Sequence, residues 1–175
     1  MKLELRSVRL KNCGPIDDIK IDFFDANDKT LPVCVIAGAN GSGKTTVLEA
    51  IHGLFCLFTN TPSLLEAKAL ANPNLYAQAD CCLEHVPFSL CCGSPPESFV
   101  WTENTINVSQ RDERYLHTGN PEIASWRRKL ISQRGHLQNG AGPDLPNFIY
   151  FPHTRSIESR SGTQISKEQT EYDFV

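Results

Sequence analysis

The sequence predicts an α/β fold, and three consecutive features near the N-terminus carry that prediction. A short run of apolar, largely β-branched residues covers Val33 to Ala37 and is typical of a strand buried on both faces. A glycine-rich loop follows, and then apolar residues recur at spacings of one, three and four, as on an amphipathic helix. That apolar stripe consists of Val47, Leu48, Ile51, Leu54, Phe55 and Phe58.

The loop between strand and helix fits the phosphate-binding pattern G-x-x-x-x-G-K-[ST] without a mismatch. Its glycines leave backbone N–H groups open to a polyphosphate, and the start of the helix attracts anionic oxygens. The pattern predicts that Lys44 contacts the β and γ phosphates of ATP as the catalytic lysine, and that the Thr45 hydroxyl ligates Mg²⁺. The alternative is a glycine-rich turn that binds nothing. The predicted binding residues here are Gly38, Asn40, Gly41, Ser42, Gly43, Lys44, Thr45 and Thr46.

Composition and charge describe one ordinary domain. The chain has 175 residues, a formal charge of -3, 40% hydrophobic and 21% charged residues. A mildly acidic balance gives no global attraction to nucleic acid or anionic lipid, although a local basic patch remains open. No apolar run is long enough to span a bilayer and the N-terminus lacks a signal-peptide pattern, so we expect no membrane partner and a cytoplasmic location.

The seven cysteines do not form C-x-x-C pairs. Two adjacent pairs, Cys81-Cys82 and Cys91-Cys92, could indicate a metal site. Adjacent residues of a strand point to opposite faces, however, which favours structural thiols in a reducing compartment.

The first thirty residues predict an antiparallel hairpin. Apolar residues alternate with polar ones from Leu3 onward, and the alternation shifts register near Ser7, which predicts a β-bulge. Asn12-Cys13-Gly14-Pro15 is a turn signal, and alternation resumes from Ile19 to Phe23 on the returning strand.

Two segments resemble a known family. L-E-L-R-S-V-R-L-K-N-C-G-P-I at the start, and V-I-A-G-A-N-G-S-G-K-T-T-V-L-E-A-I around the loop, are similar to ABC-type ATPases of the SMC, RecF and overcoming-lysogenization-defect group. The resemblance implies an ABC-type N-terminal lobe of a P-loop NTPase, with an antiparallel β subdomain beside a central sheet. It also implies that Lys11 and Asn12 assist nucleotide binding. The sequence departs from the family at Cys13, where an aromatic is common, and at Thr45, where Ser is more frequent.

The resemblance divides one partial ATP-binding domain, residues 1–175, into three parts. Residues 1–58 hold the hairpin, the P-loop and its helix. Residues 59–118 contain a short helix from Pro62, with Leu64, Leu65 and Leu70 on its apolar side and Pro73 at its end. Strand patterns follow, first at Ala77, Ala79, Cys81 and Leu83, and again at Phe99, Val100 and Trp101.

Residues 119–175 predict a helix, a strand and a polar tail. Asn120-Pro121-Glu122 is a helix start, Gly135 a stop, and the apolar stripe is Ile123, Trp126, Leu130 and Ile131. A basic group could contact DNA, or could be a solvated helix face; its members are Arg127, Arg128, Lys129 and Arg134. Phe148 to Phe151 predicts a buried strand, and Pro152 to Arg155 resembles a segment of the same ATPases.

No run of four apolar residues ending in Asp-Glu follows the loop, so the Walker B carboxylates and the signature motif are missing from the pattern. We therefore expect an ATP-binding N-terminal part that hydrolyses ATP poorly alone. A C-terminal ATPase lobe or a second subunit would supply those motifs, a homodimer remains open, and relatives serve DNA repair or antiviral defence. The alternatives are a non-hydrolysing nucleotide-binding regulatory module and a small P-loop kinase.

Overall fold

The computed structural model describes residues 2–108 and 120–133, which form five strands and three helices. In chain order the elements are β1 (Leu3–Cys13), β2 (Ile16–Asp22), α1 (Lys44–Phe58), α2 (Leu64–Ala71), β3 (Tyr76–Leu83), β4 (Val86–Gly93), β5 (Thr105–Asn107) and α3 (Pro121–Gln133).

The strands form one mixed sheet in the order β2-β1-β3-β4-β5. Neighbouring strands are antiparallel except β4 and β5, which are parallel. The predicted hairpin is confirmed, with Gly14 and Pro15 between β1 and β2. The ladder between β1 and β3 shifts register between Leu5 and Ser7, which confirms the predicted bulge. The described residues thus form one mixed sheet that fits an α/β P-loop fold, and they contain no second, central sheet beside it.

One face of this sheet and α1 build the core. Alternate residues of β3 are buried, namely Ala77, Ala79, Cys81 and Leu83, which confirms the alternation predicted for this strand. The helix α1 contacts β1, β3 and β4. Most of its predicted stripe is buried in the core cluster, but Leu48 is exposed. The packing fixes α1, and therefore the loop before it, on the sheet.

The strand predicted from Val33 to Ala37 is wrong for the structure, where this segment has no regular secondary structure. Val33 is 76% exposed and Val35 is 82% exposed. A strand needs neighbouring backbone to satisfy its N–H and C=O groups, and no segment within 2–108 or 120–133 pairs with it. Apolar character is visible in the sequence, whereas the pairing partner is not.

The short helix α2 also differs from its prediction. It begins at Leu64 rather than Pro62, because the Ser63 hydroxyl accepts a hydrogen bond from a backbone N–H of the first turn at 3.4 Å. Of the three predicted core leucines only Leu65 is buried, while Leu64 and Leu70 are exposed. The helix α2 has only eight residues, so the side that packs against the core accommodates little more than one large side chain.

The strand predicted at Phe99 to Trp101 is likewise wrong, because the third strand of this region is β5, at residues 105–107. The aromatic rings form a cluster instead. Phe99 lies edge-on to Tyr76 at 5.9 Å and to Trp101 at 4.9 Å between ring centroids. Edge-to-face packing on the sheet therefore replaces strand pairing for these residues.

The start of α3 is confirmed. The side-chain oxygen of Asn120 accepts hydrogen bonds from two backbone N–H groups of the first turn, at 2.9 and 3.5 Å. Ile123 and Trp126 are buried, and the Trp126 ring lies 5.3 Å from that of Phe58 in α1. Ile131, predicted on the same stripe, is exposed. This contact joins α3 to the C-terminal end of α1.

Four sequence predictions lie outside the described residues. They are the helix stop at Gly135, the strand from Phe148 to Phe151, the segment from Pro152 to Arg155 and the polar tail that ends at Val175.

Candidate functional site

The glycine-rich loop runs directly into α1, as its pattern predicts. Gly41 and Gly43 have φ angles of 81° and 90°, a left-handed backbone that residues with a Cβ rarely adopt. Gly41 also has open space where a Cβ would stand, so nothing obstructs an approaching ligand on that side. Alternation of left-handed glycines with other residues turns successive N–H groups toward one concave side, which is the geometry of an anion-binding nest.

Lys44 is the first residue of α1, and its side chain folds back over the loop. Its ammonium group donates hydrogen bonds to the carbonyl oxygens of Gly38 at 2.8 Å and Ala39 at 2.6 Å. These bonds hold the cation at the mouth of the loop. An ammonium has three N–H donors, so a further donor is available for an incoming oxygen.

The first turn of α1 is suited to an anion. It has no side-chain cap and no acidic residue, so neither a hydroxyl nor a carboxylate competes for its N–H groups or its positive dipole end. Thr45 and Thr46 are half-buried in this turn. The first intrahelical bond is donated by Val47 to the carbonyl of Gly43 at 3.0 Å.

The β1–β2 turn packs against the same place. A Cβ added at Gly43 would lie 2.7 Å from Cγ1 of Ile16, and a Cβ added at Gly14 would lie 3.6 Å from the Thr46 hydroxyl oxygen. Neither Ile16 nor Gly14 is among the site residues that the sequence predicts. The available signal was the G-P-I that completes the hairpin in the resemblance, since a turn retained beside a motif can be its neighbour in space.

Lys11 and Asn12 lie at the end of β1. Asn12 has a φ of 51°, its side-chain amide donates to the carbonyl of Asn74 at 2.9 Å, and its own carbonyl accepts from the amide of Asn72 at 2.9 Å. Lys11 is half-buried opposite Asp18 of β2. The side chain of Asn12 thus fastens β1 to the segment that enters β3, and a direct role of either residue in nucleotide binding stays a prediction.

Comparison with known families decides the class of this site. A family model described as an AAA domain matches residues 7–172. The chain belongs to the AAA-domain family. Neither the curated proteins nor the solved structures gave a match. An AAA domain has nucleotide-binding function of the ATPase type, which agrees with the loop, the mixed sheet and the helices.

The donor set of this AAA domain fits Mg²⁺ held mostly by phosphate and water. Within residues 2–108 and 120–133, no group of three or more His, Cys, Asp or Glu side chains could hold a metal ion. A Thr45 hydroxyl that ligates Mg²⁺ stays a prediction of the motif. Mg²⁺ keeps several waters and takes few protein ligands beside nucleotide phosphates, so one hydroxyl is compatible with it.

All seven cysteines of the AAA domain are free thiols, and five of them are buried. Cys81 opposes Phe88 and Cys82 opposes Pro87 in the ladder, so the members of an adjacent pair lie on opposite faces of the sheet. Burial raises the pKa of Cys91 and of Cys92 to about 12 from the ordinary 9.0, which keeps both protonated at neutral pH. These features support structural thiols rather than a metal site.

The described residues contain three helices, of 15, 8 and 13 residues. None of the three combines the length and the apolar character that a bilayer-spanning helix requires.

Proposed function

We propose that this AAA domain binds ATP with Mg²⁺ through the Walker A loop, as the N-terminal part of an ABC-type ATPase of the SMC and RecF kind. The observation that carries the proposal is the position of Lys44. Its ammonium lies on the carbonyls of Gly38 and Ala39 at the entrance of an uncapped helix whose loop contains two left-handed glycines. The charge of Lys44 and the positive dipole end of the uncapped helix therefore lie together there.

Each element has one task in this proposal. The loop N–H groups and the first turn of α1 receive the α and β phosphates, because their dipoles point toward the anion. Lys44 places its charge between the β and γ phosphates without moving far from the loop carbonyls. The Thr45 hydroxyl would hold Mg²⁺, which when bound would lower the charge repulsion between the phosphate oxygens and an approaching water.

A second lobe is the partner that completes the site. An apolar groove of about 920 Å³ lies between the start of β1, the segment before the loop and the outer side of α1. Leu3, Leu5, Val35, Leu48 and Ile51 are among the residues that line it. The lining includes Val35, which precedes the phosphate loop in the chain, and Leu48, which follows it, so a C-terminal ATPase lobe docked there would cover these two exposed side chains. A second subunit that carries the signature motif is the alternative partner.

Two other functions remain as candidates. A non-hydrolysing nucleotide-binding regulatory module would use the same loop, whereas a small P-loop kinase would need a compact parallel sheet after α1. The structure has antiparallel strands β3 and β4 at that place, which disfavours the kinase. DNA repair or antiviral defence is the proposed setting, and it rests on the resemblance to the SMC and RecF group.

Calorimetry of Mg²⁺-ATP binding tests the proposal, with Lys44→Ala compared to Lys20→Ala. Lys20 is an exposed lysine of β2 paired with Asp22 at 3.0 Å, so its removal is a matched loss of charge away from the loop. A hydrogen bond to a charged group contributes about 1.5–3 kcal/mol, so Lys44→Ala should weaken binding about 10- to 100-fold. Equal affinity in parent and Lys44→Ala would refute the site.

A further inference from the structure

We propose that Ile16 is a positioning residue of the nucleotide site, which holds the Walker A loop in its binding conformation through the β1–β2 turn. This inference rests on the proposed function, and it assigns to the turn a task that the loop motif does not contain. Ile16 follows Gly14 and Pro15 in the turn and is the first residue of β2.

The first line of evidence is the close approach of Ile16 to Gly43. Ile16 is 7% exposed, and its Cγ1 stands 2.7 Å from the point where a Cβ on Gly43 would lie, with Cδ1 at 3.0 Å. Real Cβ atoms essentially never come so near another atom, so the Ile16 side chain fills space that only a glycine at position 43 leaves free. Glycine is therefore required at position 43 for two reasons, its φ of 90° and its close contact with Ile16.

The turn also lies close to Thr46, on the other side of Lys44 and Thr45 in the chain. A Cβ added at Gly14 would stand 3.6 Å from both Oγ1 and Cγ2 of Thr46, so glycine leaves a narrow space there. The turn thus contacts Gly43 through Ile16 and approaches Thr46 at Gly14, and these two residues immediately precede and follow Lys44 and Thr45.

The β1–β2 turn is itself held in place by its neighbours, so it can restrict the movement of the loop. Cys13 is 1% exposed and pairs with Ile16 across the hairpin. Just before it, Asn12 exchanges side-chain-to-backbone hydrogen bonds with Asn72 and Asn74, each at 2.9 Å. The sheet, the turn and the entry to β3 are therefore one connected support, and Asn12 belongs to it whether or not it also contacts nucleotide.

The consequence concerns the aim of the loop N–H groups. A glycine with free φ samples many conformations, and only those near the observed one direct the N–H groups of the first helical turn at one phosphate. Ile16 removes most of that freedom before nucleotide arrives. Loss of the Ile16 side chain should lower the affinity for Mg²⁺-ATP, even though this side chain is not expected to touch the nucleotide.

The experiment compares Ile16→Ala with Leu90→Ala in two measurements. Leu90 is fully buried in β4, and its truncation removes as many carbon atoms as that of Ile16. Both variants should lower the melting temperature, but only Ile16→Ala should raise the dissociation constant for Mg²⁺-ATP, by about tenfold, with Ile16→Val between it and the parent. An unchanged constant in Ile16→Ala, or an equal rise in Leu90→Ala, would overturn the inference.

Hydrogen exchange without nucleotide separates this inference from the proposed function. Ile16→Ala should accelerate amide exchange at residues 47–50 relative to Leu90→Ala, because these are the first hydrogen-bonded amides of α1 and the turn that supports them is lost. If the parent fails to bind ATP, the proposed function is wrong, yet the exchange comparison still decides whether Ile16 positions the loop. If Ile16→Ala does not fold, Ile16→Val against Leu90→Val replaces the pair, and equal exchange at residues 47–50 refutes the inference.

Discussion

The guanidinium of Arg127 lies over the ring of Phe58, 5.8 Å from its centroid, and its Nε donates a 2.7 Å hydrogen bond to the main-chain carbonyl of the same residue. Phe58 is the last residue of α1, where helix carbonyls lack intrahelical partners and the dipole is negative. Arg127 therefore caps α1 from α3 and joins the helix that carries the phosphate loop to the helix behind it.

Replacement of Arg127 by Ala should destabilise the fold by about 2 kcal/mol, because it removes a charge-assisted hydrogen bond and a cation–π contact. Arg128→Ala is the matched control, since Arg128 is the next residue along and is exposed. Urea unfolding followed by circular dichroism measures the difference. Equal midpoints for the two variants would show that the cap contributes nothing.

Arg127 also shows where sequence reasoning stops. The cap at Asn120 and the stripe through Ile123 and Trp126 were predictable, because both depend on near neighbours in the chain. The run of basic residues predicts one charged surface. In the structure, however, Arg127 donates a hydrogen bond to the Phe58 carbonyl, while Arg128 and Lys129 are exposed. Which member of a basic run turns inward depends on the helix that packs there, and that contact spans 69 residues of sequence.

The same limit separates the parts of the candidate site. The glycine pattern and the start of α1 follow from local residue types, and in the structure α1 begins at Lys44, directly after the glycine loop. The strand expected before the loop needed a partner that periodicity cannot name. The contact of Ile16 with Gly43 was invisible for a related reason, because a glycine can serve ligand access or close packing and the sequence shows only the glycine.

Stability should fall as pH rises above about 9. Burial raises the pKa of Cys13, Cys81, Cys91 and Cys92 above the ordinary 9.0, with Cys91 and Cys92 at about 12. The unfolded chain loses these protons first, so between pH 9 and 12 the folded state binds more protons and the free energy of unfolding decreases. Each fully shifted thiol contributes about 1.4 kcal/mol per pH unit.

Urea titrations from pH 7 to 10.5 measure that slope. Cys92→Ala removes one titrating thiol, so the free energy of unfolding should decline less steeply with pH, by the slope that one proton contributes. The small cavity it leaves lowers stability at every pH and is subtracted first. Cys34→Ala is the control, because Cys34 is the exposed cysteine of the seven. A pH-independent free energy of unfolding, or the same slope in both variants, would contradict the assigned thiols.

The isolated chain should hydrolyse ATP slowly or not at all. No run of four apolar residues ending in Asp-Glu follows Lys44 in the sequence, so the carboxylates that would polarise the attacking water are missing from the pattern and the transition state lacks part of its stabilisation. Phosphate release by the parent should match that of Lys44→Ala. The assay should span a wide range of protein concentration, because activity from a shared homodimer site would rise faster than linearly. Robust, concentration-proportional release that Lys44→Ala abolishes would instead favour the kinase-like alternative.

Nucleic-acid binding by the isolated chain should be weak and sensitive to salt. The formal charge is -3, and Arg127 is engaged with Phe58, so the exposed cations of the described part of α3 are Arg128 and Lys129; Arg134 lies outside that part. Each lost phosphate contact on duplex DNA should lower the slope of log affinity against log salt by about 0.9. Arg128→Glu combined with Lys129→Glu removes two such contacts and should lower the slope by twice that amount, whereas Lys20→Glu on β2 should leave the slope unchanged.

Fluorescence anisotropy with a duplex of mixed sequence, titrated at 20 to 200 mM salt, distinguishes the double variant from the Lys20→Glu control. Tight binding at the upper salt limit that ignores the double substitution would place the DNA surface elsewhere on the protein.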